Sequence, residues 1–163
     1  MGVRLRRSQD GFSLIELMMV VLVIGILLAI AIPTYLGVKR AASDRATQSN
    51  VRNALTAMRI YYNANQTYTG DPAVMNEIDP SLSWTDVDLA ATSPRSAIRL
   101  AVFPVPELDQ TIVLGGRTSE GRCFFLKDTM GSSEGGVYYD FRASGSGSCA
   151  PPSPADAGWT DKW

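Results

Sequence analysis

An apolar segment near the N-terminus constrains this chain more than any other feature. The 21 residues from Phe12 to Ile32, called the apolar segment below, contain one charged side chain, Glu16. At about 1.5 Å of rise per residue they form a helix roughly 31 Å long, which is enough to cross a bilayer. The segment is long for a secretory signal peptide, and no small-x-small cleavage pattern ends it. The pattern therefore favours a membrane-spanning helix.

The residues before the apolar segment carry a positive charge. Arg4, Arg6 and Arg7 outweigh Asp10 and leave a side-chain charge of +2. A positive flank favours the cytoplasmic side of a membrane. We therefore expect a cytoplasmic N-terminus and an extracytoplasmic remainder, residues 34–163.

A second helical pattern follows the membrane segment. Pro33 interrupts the backbone hydrogen bonds, but residues 34–62 return to helical periodicity, which predicts one long kinked helix with a membrane half and an amphipathic half. The amphipathic half has one apolar stripe, which must pack against the core of a small domain. The stripe consists of Val51, Ala54, Leu55, Met58 and Tyr62.

The remaining sequence predicts a small sheet. Residues 63–96 are rich in turn formers and read as a structured connecting loop, with one short strand or turn at residues 82–87. Four runs of β-type composition follow, and they should form an antiparallel sheet. These runs are residues 97–103, 111–114, 122–127 and 137–142. The expected fold class is α+β, with the helix packed on the sheet.

Cysteine usage is sparse. Cys123 and Cys149 are the two cysteines of the chain, and both lie in the part expected to be extracytoplasmic. A single disulfide is the natural interpretation there, with two free buried thiols as the alternative.

Composition argues against several functions. The chain has no histidine and a formal charge of −1, so we predict no enzyme, and no cofactor or metal site is expected. The carboxylates of Glu77, Asp79, Asp86 and Asp88 match no metal motif and are expected to be solvated. Basic residues 95, 99, 117 and 122 are scattered, so no specific nucleic acid is predicted as a partner.

The run GFSLIELMMVVLVIGILLAIAIP, residues 11–33, resembles the N-terminal signature of type IV prepilins and the related pseudopilins. The resemblance implies that a prepilin peptidase removes residues 1–11 by cutting between Gly11 and Phe12. It also implies N-methylation of the new amine of Phe12. Losing three positive charges and one negative charge would change the net charge from −1 to −3.

Glu16 has a physical argument of its own. A carboxylate inside an apolar helix costs about 2 to 3 kcal/mol or more unless it is paired. Cleavage would create a positive amine at Phe12, four residues earlier. The resemblance implies that Glu16 neutralises the amine of a neighbouring subunit during assembly. The alternatives are that Glu16 pairs with the amine of its own chain or lies at the membrane interface near the headgroups.

The resemblance also implies two structural roles. Gly25 and Pro33 both weaken helical hydrogen bonding, so the helix between them either melts locally in a filament or only kinks gently. The cysteine pair corresponds to the disulfide-closed C-terminal region of pilins, which is used for subunit or surface contacts.

The expected function is a structural subunit of a type IV pilus-like filament. Its partners would be other copies of itself, the prepilin peptidase, and the pilus assembly platform with its motor ATPase. The precursor would sit in a bacterial inner membrane and the mature subunit in a surface filament. A pseudopilin of a type II secretion system is one alternative, and a minor or competence pilin that binds DNA or a surface is another.

Overall fold

A computed structural model describes residues 11–104, 110–130, 135–143 and 147–163. The predicted leader lies outside the described residues except for Gly11. The chain divides into two compact units, Met1–Lys39 and Arg40–Trp163. The elements are α1 (Leu14–Asn65), α2 (Pro72–Ile78), β1 (Ser83–Thr85), β2 (Ala97–Pro104), β3 (Gln110–Arg117), β4 (Arg122–Met130) and β5 (Gly136–Ala143).

The described part of the first unit is the N-terminal half of α1. Residues 14–39 are helical without interruption, and residues 11–39 are all solvent-exposed in the single chain. The predicted long helix is therefore confirmed, and Pro33 lies inside it.

The second unit contains a five-stranded mixed sheet in the order β1-β2-β3-β4-β5. Strands β2 to β5 pair antiparallel with their neighbours, as predicted. The fifth strand was not predicted as part of this sheet: β1 pairs parallel with β2 from Ser83↔Ala97 to Thr85↔Arg99. Residues 86–96 return the chain to the start of β1, so that β2 runs beside β1 in the same direction. Periodicity alone does not reveal this parallel pairing. The α+β fold class is confirmed.

The connecting loop contains a helix that the sequence analysis missed. In α2, Asp71 is the N-cap and its carboxylate accepts a hydrogen bond of 2.8 Å from the amide of Ala73, while Pro72 occupies the first turn. Both residues were interpreted as turn formers. An Asp-Pro pair is also a helix start signal, and this signal could have found the helix.

The amphipathic half of α1 packs on the sheet. The predicted stripe is buried at Val51, Ala54, Leu55 and Met58, and Tyr62 is partly buried against the same core. Side chains alternate between the two faces of the sheet, as strand geometry requires. The face toward α1 carries Ile98, Leu100, Ile112, Leu114 and Leu126. A smaller cluster on the opposite face includes Leu89, Val113, Phe125 and the two cysteines.

Two adjacent glycines in β3 allow close packing on both faces. A methyl group at Gly116 would come within 2.8 Å of side-chain carbons of Thr47 and Val51 on α1. At Gly115 it would come within 2.7 Å of the Phe125 ring on the other face. Both distances are too short for real contacts, so these positions need glycine for space.

The C-terminal tail is fastened to the sheet. Cys123 of β4 and Cys149 form the predicted disulfide, with a Cα–Cα distance of 5.7 Å. The amide of Cys149 also donates to the carbonyl of Leu89, at 2.8 Å. Thr160 exchanges two backbone hydrogen bonds with Tyr139 of β5. The tail therefore covers part of an edge strand that would otherwise be exposed.

Candidate functional site

The predicted cleavage site lies just before α1. Gly11, Phe12 and Ser13 precede the first helical residue, and the Ser13 carbonyl accepts hydrogen bonds from the amides of Glu16 and Leu17. Phe12 is 87% exposed, and a side chain at position 11 would meet nothing within 4 Å. The Gly11–Phe12 peptide bond is thus accessible. Cleavage and methylation there stay predictions.

Glu16 lies in the first turn of α1. Its side chain is exposed and makes no hydrogen bond or ion pair with the described residues. The N-terminal end of a helix favours a negative charge, which suits this position electrostatically. The carboxylate therefore remains available to a positive group outside the described chain.

The surface around Glu16 is apolar and uncovered. The apolar residues of the N-terminal half of α1 are solvent-exposed in the single chain. Length and composition make α1 capable of crossing a membrane, as expected for the apolar segment. Water is a poor solvent for such a surface, so lipid or other protein chains must cover it.

The segment between Gly25 and Pro33 is helical in the single chain. Pro33 has no amide hydrogen, so the carbonyl of Ala29 lacks its usual helical donor. One turn of helix is reinforced by the Thr34 hydroxyl, which donates to the Ile30 carbonyl at 3.2 Å. A methyl group at Gly25 would meet nothing within 4 Å. Packing within this chain therefore does not require that glycine, and melting in a filament stays a prediction.

A buried charge network in the second unit was not found from the sequence. Asp128 of β4 is 1% exposed, and its two oxygens accept hydrogen bonds of 2.9 Å each from Nε and Nη2 of Arg59. The Tyr68 hydroxyl donates to the same carboxylate at 2.8 Å. The hydrogen bond to Asp128 raises the pKa of Arg59, whereas burial is the main cause that raises the pKa of Tyr68. These three residues join α1, the following loop and β4.

Two of the four loop carboxylates, Asp79 and Asp88, take part in local structure. Asp79 accepts hydrogen bonds from the amide and hydroxyl of Ser81, and Asp88 pairs with Arg99 at 3.4 Å. Within residues 11–163 as described, no three potential metal ligands come together. No residue set in that part of the chain suggests a metal site.

The two C-terminal tryptophans pack on the second unit. Trp163 contacts the rings of Phe124 and Tyr139 on the helix side of the sheet. Trp159 lies on the other side, 5.1 Å from Nζ of Lys127. The sequence did not decide between this packing and contact with a neighbouring subunit.

Comparisons with known proteins match the N-terminal part most clearly. The family model described as "Prokaryotic N-terminal methylation motif" matches residues 6–32. The chain is 37% identical over 90 residues to the type IV narrow pilus major component PilA5 of Thermus thermophilus, covering 50% of this chain and 74% of that protein. It is 33% identical over 69 residues to the type IV wide pilus major component PilA4 of the same organism, covering 42% and 53%.

A secretion-system protein is also similar. The chain is 30% identical over 91 residues to the type II secretion system core protein G of Aeromonas hydrophila, covering 56% of this chain and 59% of that protein. The matched part thus spans only about half of some of these relatives. No solved structure matches the chain significantly.

Proposed function

Because this chain belongs to the type IV pilin family, we propose that it is a structural subunit of a type IV pilus-like filament. The observation that carries the proposal is the uncovered apolar surface of α1, which begins at an accessible Gly11–Phe12 bond and contains Glu16 in its first turn. The family is one of filament components rather than enzymes, and the matched pilus proteins are named as major components.

Processing would create the second half of an ion pair. A prepilin peptidase cuts after Gly11, and methylation then modifies the amine of Phe12. This amine is positive and Glu16 is negative, so a neighbouring subunit can neutralise Glu16 when the two helices lie in the correct axial register. A charge in an apolar surrounding is costly unless it is paired, which makes the wrong register unfavourable.

The apolar surface explains why assembly is coupled to extraction from the membrane. In lipid, neighbouring helices and acyl chains are equally apolar, so no hydrophobic force drives subunits together. When the motor ATPase and the assembly platform move the helix out of the inner membrane, burying each square ångström of apolar surface contributes about 25 cal/mol. The filament core is therefore a bundle of these helices.

Mass spectrometry of filaments sheared from cells tests the proposal. The expected result is an N-terminal peptide that starts at a methylated Phe12. A leader that remains attached in the sheared fraction, or a chain found there without methylation at Phe12, would contradict the proposed processing.

Glu16→Ala is the corresponding assembly variant. We expect normal cleavage and membrane insertion, but a yield of sheared filaments at least about tenfold lower, since 1.4 kcal/mol of lost interaction already changes an equilibrium tenfold. Glu77→Ala is the matched control, because Glu77 is exposed on α2 in the second unit. Equal filament yields from both variants would argue against a register role for Glu16.

A pseudopilin of a type II secretion system is the second candidate. It is favoured by the similarity to core protein G over 56% of this chain. Processing at Phe12 is the same in both candidates, so location distinguishes them. A methylated protein that stays with the membranes and yields no surface filaments would favour the pseudopilin or a minor pilin.

A further inference from the structure

The fold sorts the four arginines that are scattered between residues 95 and 122 into two groups. Arg99 pairs with Asp88, and Arg122 pairs with Asp44 at 2.7 Å. Arg95 and Arg117 instead line one groove, and neither forms an ion pair with the described residues. Residues 22 positions apart in the sequence thus present two positive charges to the same space.

The groove lies where α1, the loop before β2 and the end of β3 meet, all within the second unit. It consists of two pockets that share Arg95 and Arg117 in their lining, one of about 270 Å³ and one of about 70 Å³. One water takes about 30 Å³ in the liquid, and pockets for drug-sized ligands begin near 300 Å³. The groove therefore fits a small ion or a headgroup rather than a large organic ligand.

Hydrogen-bond donors dominate the groove. The Ser93 hydroxyl oxygen accepts from the amide of Ala90, and the Thr118 hydroxyl oxygen accepts from the amide of Arg122, each at 3.0 Å. Each hydroxyl hydrogen is then free to donate into the groove. Nε of Arg117 is buried and has no acceptor among the described residues. A buried donor without an acceptor costs free energy, so the described chain does not fully satisfy the Arg117 guanidinium.

Acidic side chains do not line the described groove. The nearest carboxylate in the β3–β4 turn is Glu120, which accepts a hydrogen bond of 2.8 Å from the Ser119 hydroxyl. This bond lowers the pKa of Glu120 and ties the carboxylate to the turn. Two guanidinium groups and two hydroxyl donors therefore face the groove without a neutralising acid, which favours an anion over a cation.

We propose that the groove between Arg95 and Arg117 binds a phosphate-type oxyanion, as a phosphate group on its own or in a lipid headgroup. Guanidinium groups bind phosphate oxygens through two parallel hydrogen bonds, and the hydroxyls of Ser93 and Thr118 complete the set of donors. The anion site itself does not depend on the filament function.

The lipid source does rest on the proposed membrane anchor. Ser43 on the groove wall follows Ile32, the last residue of the apolar segment, by eleven positions. Even fully extended, eleven residues reach no more than about 40 Å. The chain therefore keeps the groove within that distance of the membrane surface, where anionic phospholipids supply phosphate groups at high local concentration.

The first arm of the test measures binding of inorganic phosphate to the full chain in nonionic detergent micelles by isothermal titration calorimetry. Saturable binding is expected, and Arg95→Gln combined with Arg117→Gln should weaken it at least about tenfold, as for loss of a charged hydrogen bond. Arg45→Gln is the matched control, because it removes the same charge from α1 but lies on the side of the helix turned away from the groove.

If the double variant fails to fold, Arg95→Gln alone keeps the test decisive, since Arg95 is exposed and its side chain is not part of the core. Absence of phosphate binding to the wild type would overturn the proposal. Equal weakening in Arg45→Gln would overturn it as well, because a general charge effect would then explain the binding.

The second arm distinguishes the sources of phosphate. The full chain is released from mixed micelles that contain phosphatidylglycerol and phosphatidylcholine, and native mass spectrometry counts the retained lipids. Preferential retention of phosphatidylglycerol that is lost in the double variant supports the headgroup. Saturable phosphate binding without this preference supports a soluble phosphate as the ligand. A phosphatidylglycerol preference that survives in the double variant would exclude the groove as the lipid site.

Discussion

At the scale of single residues, a charge inside the second unit is held in place by its partners. Asp128 is nearly inaccessible to solvent, yet Arg59 and Tyr68 supply three hydrogen bonds to its carboxylate. A buried carboxylate that lost these donors would be strongly destabilising. Side chains from α1 and from the loop that follows it therefore hold β4 through one acid.

Tyr68 should make the stability of the second unit depend on alkaline pH. Burial raises its pKa above the ordinary value of 10.0, so above pH 10 the unfolded chain loses this proton while the folded chain keeps it. The stability contribution is complete below pH 10 and falls above it by about 1.4 kcal/mol per pH unit. Urea unfolding of the wild type and of Tyr68→Phe at pH 8 and pH 11 measures this pH dependence of the free energy of unfolding.

At pH 8 the Tyr68→Phe variant should be less stable by about 1 to 2 kcal/mol, because one hydrogen bond to a buried carboxylate is lost. The difference should shrink or reverse at pH 11. A difference that stays constant between the two pH values would show that the Tyr68 proton is not linked to folding.

At the scale of elements, the contact between α1 and β3 depends on the absence of a side chain. The helix approaches the strand so closely at Gly116 that a methyl group would overlap Thr47 and Val51. The sequence predicted both elements, but β3 was predicted only from residue 111 to 114, because two consecutive glycines interrupt a strand pattern. The reason for these glycines appears only when the two packed faces are known.

Gly116→Ala should destabilise the second unit by about 1 to 3 kcal/mol through overpacking. Gly70→Ala is the matched control, because the nearest atom to its added methyl group lies 3.8 Å away, which is an ordinary contact. Denaturant unfolding of both variants provides the measurement. A Gly116→Ala variant as stable as the control would mean that α1 shifts away from β3 at little cost.

The segment between Gly25 and Pro33 should respond to substitutions only in the filament. Alanine is favoured in a helix by about 1 kcal/mol over glycine and about 3 kcal/mol over proline, so Gly25→Ala with Pro33→Ala should suppress melting. Amides of residues 25–32 should then exchange hydrogen more slowly in variant filaments than in the wild type. Gly37→Ala is a control outside the segment, and unchanged exchange in the double variant would argue for a gentle kink instead.

At the scale of the whole molecule, the disulfide joins parts that the sequence separates. Cys123 and Cys149 lie 26 positions apart, and the backbone of Cys149 is also bonded to Leu89 in the loop after β1. The bridge thus fixes the tail and this loop against the sheet face opposite α1. This arrangement stabilises a second unit whose core is small.

Replacing both cysteines by serine should lower the free energy of unfolding of the second unit by about 3 to 4 kcal/mol, as expected for closing a loop of this length. Urea unfolding of the variant, and of the wild type with and without a reducing agent, provides the measurement. The untreated wild type should contain no thiol that can be alkylated, and two alkylatable thiols in the folded protein would refute the bridge.

The sequence by itself determined the features that depend on local pattern. A long apolar run, a 3.6-residue periodicity and β-type runs each leave a signal within about 20 residues, so the length of α1, its buried stripe and β2 to β5 could be predicted. Gly11, Phe12 and Glu16 also belong to one short motif, and their roles in cleavage, methylation and assembly stay predictions. Two late cysteines in a part expected to be extracytoplasmic were enough to predict the disulfide.

Only the tertiary structure decided the features that join distant parts of the chain. These are the parallel pairing of β1 with β2, the Asp128 network, the close approach at Gly115 and Gly116, and the groove that brings Arg95 beside Arg117. The physical reason is the same in each case. Their free energy comes from contacts between residues far apart in the sequence, and no local periodicity records which residues the fold will bring together.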